Sequence, residues 1–187
     1  MTRLEEILEV ACKLYYQQGI KSVSMDDIAE SLSISKKTLY NTVSNKNELL
    51  NLVTKNLSSI FIKSLHDISE RNSITEKEKL KHMAKFILIF TCENVLFIHQ
   101  LKNTHRRLWV ELEYDQHTAI LKIMGPIYQE LRKEKLLKRS VNKDLLNFIF
   151  LGMCKVKKDH LNAMESSQKR IEISELLIDG LFVNLEN

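Results

Sequence analysis

Lys36, Lys37, Thr38, Tyr40 and Asn41 fall within one short stretch between Ser35 and Val43. No nucleophile–base pair, phosphate-cradling loop or metal-ligand cluster accompanies them. What they share is hydrogen-bonding capacity. A lysine can donate to guanine and an asparagine can bond adenine bidentately in a major groove, while hydroxyls and ammonium groups suit phosphates. At about 100° per residue, a helix here puts Lys37 and Asn41 nearly opposite Leu39, with Thr38 and Tyr40 flanking the outward side. Ser24, Ser35 and Lys46 stand where helices would start, and free N–H groups there attract phosphate. The pattern suits a surface for double-stranded DNA. The first fifty residues hold six basic and seven acidic side chains, so such binding must rest on where charge sits rather than on its sum.

Those residues need elements to aim them. Ile7, Leu8, Ala11, Leu14 and Tyr15 recur at helical spacing, and Gly19 stops that helix. Ser24 with Asp27 forms a capping-box variant opening a second helix, with Ile28 and Leu32 as its buried face beside the small Ala29. Ser33–Ser35 make a tight turn. Ser35 then caps a third helix from Lys36 to about Thr42, whose Leu39 and Val43 point inward. Asn45 and Glu48 open a long fourth helix running to about Glu70. Two short helices joined by a tight turn form a helix-turn-helix.

The stretch "GIKSVSMDDIAESLSISKKTLYNTVSNKNELL", preceded by "ILEVACKLYYQQ", resembles the N-terminal domain of TetR/AcrR-family transcriptional regulators. The matching positions are Gly19, Ser24, Ile28, Ala29, Ile34, Ser35, Thr38, Leu39, Tyr40, Lys46, Glu48 and Leu49. They cover about the first quarter of the chain. The resemblance implies recognition-helix and phosphate-contact roles for Ser24, Lys36, Lys37, Thr38, Tyr40 and Lys46; the residues themselves add Ser35 and Asn41. Three positions depart from the family pattern. Ser33 replaces the usual turn glycine, Lys37 stands where a small residue is frequent, and Thr42 and Val43 replace an aromatic pair. The first demands an uncommon backbone angle, and the last is expected to loosen the recognition helix.

The remainder reads as helical throughout. The chain has 187 residues with four Gly and one Pro, which disfavours turn-rich β folds. Helices are expected near 75–101, 104–115, 117–138, 142–165 and 168–185, with Gly125-Pro126 kinking or interrupting the third of these. The fold class is all-α: a three-helix helix-turn-helix domain over 1–46, then a helical-bundle effector-binding and dimerisation domain over 47–187. Cys12, Cys92 and Cys154 are far apart and read as reduced thiols. The N-terminus carries glutamates where a signal peptide needs an apolar run, and the segment from Phe86 to Ile98 is too short to span a bilayer. A cytoplasmic location without membrane contact is expected, at the nucleoid when DNA is bound.

In the second domain Phe86, Phe90, Phe97, Trp109, Tyr114, Phe150 and Met153 could line an effector pocket or simply fill a bundle core. Glu113 and His117 are four apart with Asp115 nearby. No second Glu-x-x-His supports a two-metal site, so neither metal nor cofactor is expected. "KVKKDH", Lys155 to His160, reads as a solvated basic face. The resemblance implies that the last two helices pair with their copies in a homodimer; Leu145, Phe148, Ile149, Leu177, Leu181 and Phe182 are the candidates, some of them facing the protomer's own core. A two-fold dimer implies a palindromic operator. The expected function is a non-enzymatic repressor released from DNA by an unidentified small molecule. The alternatives are control by a partner protein without such an effector, or a helical enzyme.

Overall fold

The computed structural model describes residues 2–155 and 166–183, and the described residues hold nine α-helices. They are α1 (Arg3–Gln18), α2 (Met25–Ser31), α3 (Lys36–Thr42), α4 (Lys46–Ser69), α5 (Glu76–Glu93), α6 (Val95–Thr104), α7 (Arg106–Lys133), α8 (Lys143–Met153) and α9 (Ser167–Asp179). Two differences from the sequence expectation concern helix boundaries. The apolar run near 75–101 divides at Asn94 into α5 and α6. The stretches expected at 104–115 and 117–138 are instead one helix, α7, continuous through Pro126. Helical propensity on both sides outweighs the one hydrogen bond that a proline removes. The candidate basic face from Lys155 to His160 falls almost wholly on residues 156–165, outside those described.

The chain forms two compact units, Met1–Ile60 with Glu93–Glu113, and Phe61–Cys92 with Tyr114–Asn187. A cut at residue 46 therefore differs from the division by packing, because the start of α4, all of α6 and the first turns of α7 belong with the N-terminal helices.

In the first unit, α1 buries Ile7, Ala11, Cys12 and Tyr15. The Phe97 ring of α6 lies against two tyrosines of α1, with ring centroids 6.4 Å from Tyr15 and 5.2 Å from Tyr16. Such aromatic contacts add about 0.5–1.5 kcal/mol each beyond the area they bury. Burial pushes the Tyr15 phenol up to about 12 and raises the Cys12 thiol. Cys12 is thus a packing residue rather than a reactive one. Caps set the short helices. Ser24 accepts from the Asp27 N–H while Asp27 accepts from the Ser24 N–H, a reciprocal capping box. Asn45 and Glu48 do the same work for α4, with Asn45 accepting from the Glu48 N–H and Glu48 from the Ser44 N–H.

The turn between α2 and α3 is a Schellman motif. The Ile34 N–H donates to the Ala29 carbonyl at 3.0 Å and the Ser33 N–H to the Glu30 carbonyl at 2.9 Å. That geometry needs a left-handed residue at the position after the cap, and Ser33 supplies it with φ 53°. An L-residue there costs about 1–2 kcal/mol.

The second unit buries Phe61 and Leu65 of α4, Leu80, Met83 and Ile87 of α5, Ile120, Met124 and Leu131 of α7, and Leu146 and Phe150 of α8. The Phe61, Phe86 and Phe90 rings cluster with centroids 5.2–5.7 Å apart. After α7, Leu137 and Phe182 form an antiparallel bridge, with the Lys138 N–H donating to the Leu181 carbonyl and the Val183 N–H to the Leu136 carbonyl. Asp179 ties α9 to α5 through Lys77 at 3.1 Å and Lys81 at 2.9 Å.

The strained turn generates a prediction. Ser33→Gly removes the side chain's objection to φ 53° at some cost in unfolded-chain entropy. The net gain of about 0.5–1 kcal/mol should raise Tm by roughly 1–3 °C, read by calorimetry.

Candidate nucleic-acid interface

The third helix turns one side inward and one outward. Leu39 and Val43 are fully buried, so the Leu-Val side holds α3 in place without the expected aromatic pair. Lys36, Lys37, Tyr40 and Asn41 lie on the exposed side, with Tyr40 47% exposed. A tyrosine half in water with its ring along the helix can offer its hydroxyl to a phosphate. Ser35 caps the helix by accepting from the Thr38 N–H at 3.0 Å, and its hydroxyl also meets the Thr38 hydroxyl at 2.8 Å. Those two groups are oriented by each other at the N-terminal end of α3. No acidic residue belongs to that first turn itself.

Two lysines are engaged in ways the sequence does not show. The Lys36 ammonium lies 2.6 Å from the Asp26 carboxylate, which raises the lysine above its ordinary value. Both side chains are largely exposed, so the pair is weak and can open for a stronger anion. Lys46 differs. Its ammonium donates to the Ile20 carbonyl at 2.7 Å and the Val23 carbonyl at 2.6 Å, and lies 6.0 Å from the Tyr15 ring centroid. The residue expected as a phosphate contact also clamps the α1–α2 connection. Carbonyls left without helical partners draw the ammonium in, and one of its three donors remains for a phosphate. Partial burial lowers Lys46 below its ordinary value, partly offset by Asp27. The Asp27 carboxylate is held low first by the Ser24 backbone and hydroxyl, with a smaller contribution from Lys46.

Gln100 of α6 holds the same connection from another side. Its side-chain carbonyl accepts from the Lys21 N–H at 3.0 Å. Gly19 has φ 84° and ψ 162°, a region open essentially to glycine alone, and a Cβ there would sit 2.3 Å from the Gln100 amide nitrogen. Nearby, His105 is held below its ordinary value by burial and then by the Lys46 charge. Gln100 went unnoticed in the sequence because its partner lies 79 residues away.

The second unit carries a half-open cavity of about 700 Å³ between α4, α5 and α7. Ile62, His66, Ser69 and Glu70 of α4 line it, with Glu76 and Lys79 of α5 and, from α7, Ala119, Lys122, Ile123, Pro126, Ile127 and Glu130. None of the seven aromatic and methionine candidates lines it. Phe86 and Phe90 pack on Phe61, while Phe97 belongs with Tyr15 and Tyr16. Trp109 lies under the Lys102 ammonium, Tyr114 is 69% exposed, and Phe150 and Met153 are core. The Phe86, Phe90, Phe97 and Phe150 rings fill packing space, while Tyr114 stands in water. Among the described residues no group of three or more His, Cys, Asp and Glu could hold a metal ion, and no single helix is long and apolar enough to cross a membrane.

Of the six interface candidates, Leu181 and Phe182 are buried in the second unit's own core and Ile149 is half-buried. Their place beside the Leu137–Phe182 bridge takes Leu181 and Phe182 away from any exposed face. Leu145, Phe148 and Leu177 are exposed, Phe148 at 74%, and Leu176 at 75% joins them.

Residues 7–53, which include every element of this surface, match the family model described as bacterial regulatory proteins, tetR family. The N-terminal part of the chain thus carries a TetR-family DNA-binding domain, and the chain as a whole is similar to transcriptional regulators. It is 27% identical over 186 residues to an uncharacterized HTH-type transcriptional regulator, YvaF, of Bacillus subtilis strain 168, covering 95% of this chain and 93% of that one. Its fold is that of solved regulators. Reduced Escherichia coli NemR matches with a TM-score of 0.73 at 11% identity over 98% of this chain and 99% of the other. Bacillus subtilis FadR in complex with stearoyl-CoA matches with a TM-score of 0.66 at 17% identity, over 94% and 95%. At such identities the chain shares the fold with them, and its own side chains must say what it binds.

Two substitutions separate the roles within the surface. Lys37→Ala should weaken binding to a selected operator about tenfold while changing non-specific binding much less, read by fluorescence anisotropy at fixed salt. Lys46→Met keeps the aliphatic stem but removes two charge-assisted hydrogen bonds. It should lower Tm by several degrees, because such bonds are worth about 1.5–3 kcal/mol each; an unchanged Tm would make Lys46 a phosphate contact only.

Proposed function

We propose that this protein is a homodimeric repressor that holds a palindromic operator and lets it go when a small molecule enters the second-unit cavity. The observation that carries the DNA contact is α3, anchored by fully buried Leu39 and Val43 while Lys37, Tyr40 and Asn41 face outward. In this reading Lys37 and Asn41 meet base edges. Ser24, Ser35, Lys36, Thr38 and Tyr40 meet phosphates, and Lys46 gives its remaining donor to the backbone. The DNA-binding role is assigned to residues 1–46, and effector binding and dimerisation to 47–187. The protein acts as a binding protein rather than an enzyme, in the cytoplasm where the operator lies.

Dimerisation is assigned to the exposed apolar faces of α8 and α9. Leu145 and Phe148 lie on α8, opposite buried Leu146 and Phe150; Leu176 and Leu177 lie on α9 beside buried Ile178. A closed two-fold pairing through such a face buries it against its own copy. It would present two α3 helices about one DNA turn, roughly 34 Å, or a multiple apart.

Ligand control is favoured over a partner protein alone by the cavity, whose size suits a single drug-sized molecule. Helix α4 is the proposed lever. Its first turn carries the Lys46 clamp and its last turns carry cavity residues Ile62, His66, Ser69 and Glu70. An effector need supply only about 1–3 kcal/mol of coupling to change operator affinity 5- to 150-fold.

Selection from a genomic DNA library should return a palindromic site, and failure to retain one would overturn the repressor reading. Phe148→Glu should convert the protein to monomer by sedimentation and lower operator affinity by at least tenfold, while the helical circular dichroism of each chain persists.

A further inference from the structure

The cavity's walls and its polar groups make different demands on a ligand, and together they narrow its chemistry. This inference rests on the reading of that cavity as the effector site. Ala119, Ile123 and Ile127 recur every four residues along α7 and give one apolar wall. Such a wall asks for an apolar body.

The polar groups are unevenly matched. Three carboxylates line the cavity, Glu70, Glu76 and Glu130, against the two ammonium groups of Lys79 and Lys122. Lys79 is already taken. Its ammonium sits 2.6 Å from Glu76, in a pair whose side chains are only 10% and 21% exposed. That leaves Glu70 and Glu130 against Lys122. Glu130 also meets Lys133 at 3.1 Å, but that lysine is 77% exposed and such a pair is weak. The Glu70 carboxylate has His66 at 4.0 Å, beyond a hydrogen bond. One further acceptor comes from the backbone. Pro126 has no N–H, so the Lys122 carbonyl lacks its helical donor, and both residues line the cavity. Acceptors therefore outnumber donors at the water-facing edge of the apolar wall, where the Glu70 side chain is 70% and that of Glu130 45% exposed.

We propose that the cavity takes an organic cation, an apolar body bearing one protonated amine that donates to the acceptors left by Glu70, Glu130 and the Lys122 carbonyl. An anionic amphiphile of the same length would bring its charge toward the two carboxylates and be repelled.

The test uses the full-length protein with three probes of matched apolar length, decylamine, decanoate and decanol, below their micelle-forming concentrations. Titration calorimetry without DNA reads binding, and anisotropy on the selected operator separately reads release. Decylamine should bind at least tenfold more tightly than decanoate. Glu70→Gln with Glu130→Gln should weaken decylamine five- to tenfold and leave decanol unchanged. Ala119→Trp, which fills the wall, should abolish binding of all three. Decanoate binding as well as decylamine would overturn the proposal. So would decylamine binding unchanged in the Gln variant or in the Ala119→Trp protein, or no binding by any probe. Decylamine binding without operator release would leave the ligand class standing and sink the effector reading. Decanoate binding with release would do the reverse.

Discussion

A single ammonium group sets the geometry of the DNA-facing unit. Lys46 stands at the first turn of α4 and donates to two carbonyls of the connection between α1 and α2. That connection carries Gly19 in a glycine-only conformation and leads into the capping box at Ser24. The reciprocal cap fixes the start of α2, and the Schellman turn at Ser33 fixes the angle from α2 into α3. Each step follows from the demand that terminal backbone groups find partners. A cation can satisfy two such carbonyls at once, as no neutral side chain of that reach could. Gln100 supplies the matching acceptor for the Lys21 N–H, so donor and acceptor needs of one connection are met from two helices.

With the frame fixed, α3 divides its labour by face. Leu39 and Val43 leave water entirely. Burying two such side chains stabilises the helix by about 1.5–3 kcal/mol each, enough to hold a seven-residue helix that would not persist alone. The outward groups stay largely in water and keep their hydrogen bonds available. Lys36 keeps an exposed partner, Asp26, that an approaching phosphate can displace at small cost. The unit's near-neutral charge is thus no obstacle, because Glu5, Asp27 and Glu48 serve caps while Lys36 and Lys37 face outward.

The second unit shows the complementary economy. Its aromatic rings close on each other around Phe61, and its void lies instead where α7 presents small and branched side chains beside a proline. Two apolar faces, on α8 and α9, stay in water in the single chain. A cavity and an uncovered apolar face are both costly to keep, which is why each points to something that fills or covers it.

The sequence alone determined the all-α class, the helix-turn-helix, its three caps and the buried positions of α3. Each of these is a local matter, settled by helical periodicity, capping residues and a tight turn within a few positions. Through the family resemblance it also marked Ser33 as a position of uncommon backbone angle, which the structure gives as φ 53°. Only the tertiary structure decided the role of Lys46, since whether an ammonium faces solvent or two carbonyls depends on a loop 23 to 26 residues away. The same holds for Gln100, for the helix break at Asn94 and for the cavity. Side-chain size says that Phe86, Phe97 or Trp109 needs a large space, but not whether neighbours fill it. Leu181 and Leu177, four positions apart on the sequence, ended in the core and in water respectively. That division was made by the bridge from Leu137 to Phe182, a contact that no local pattern encodes.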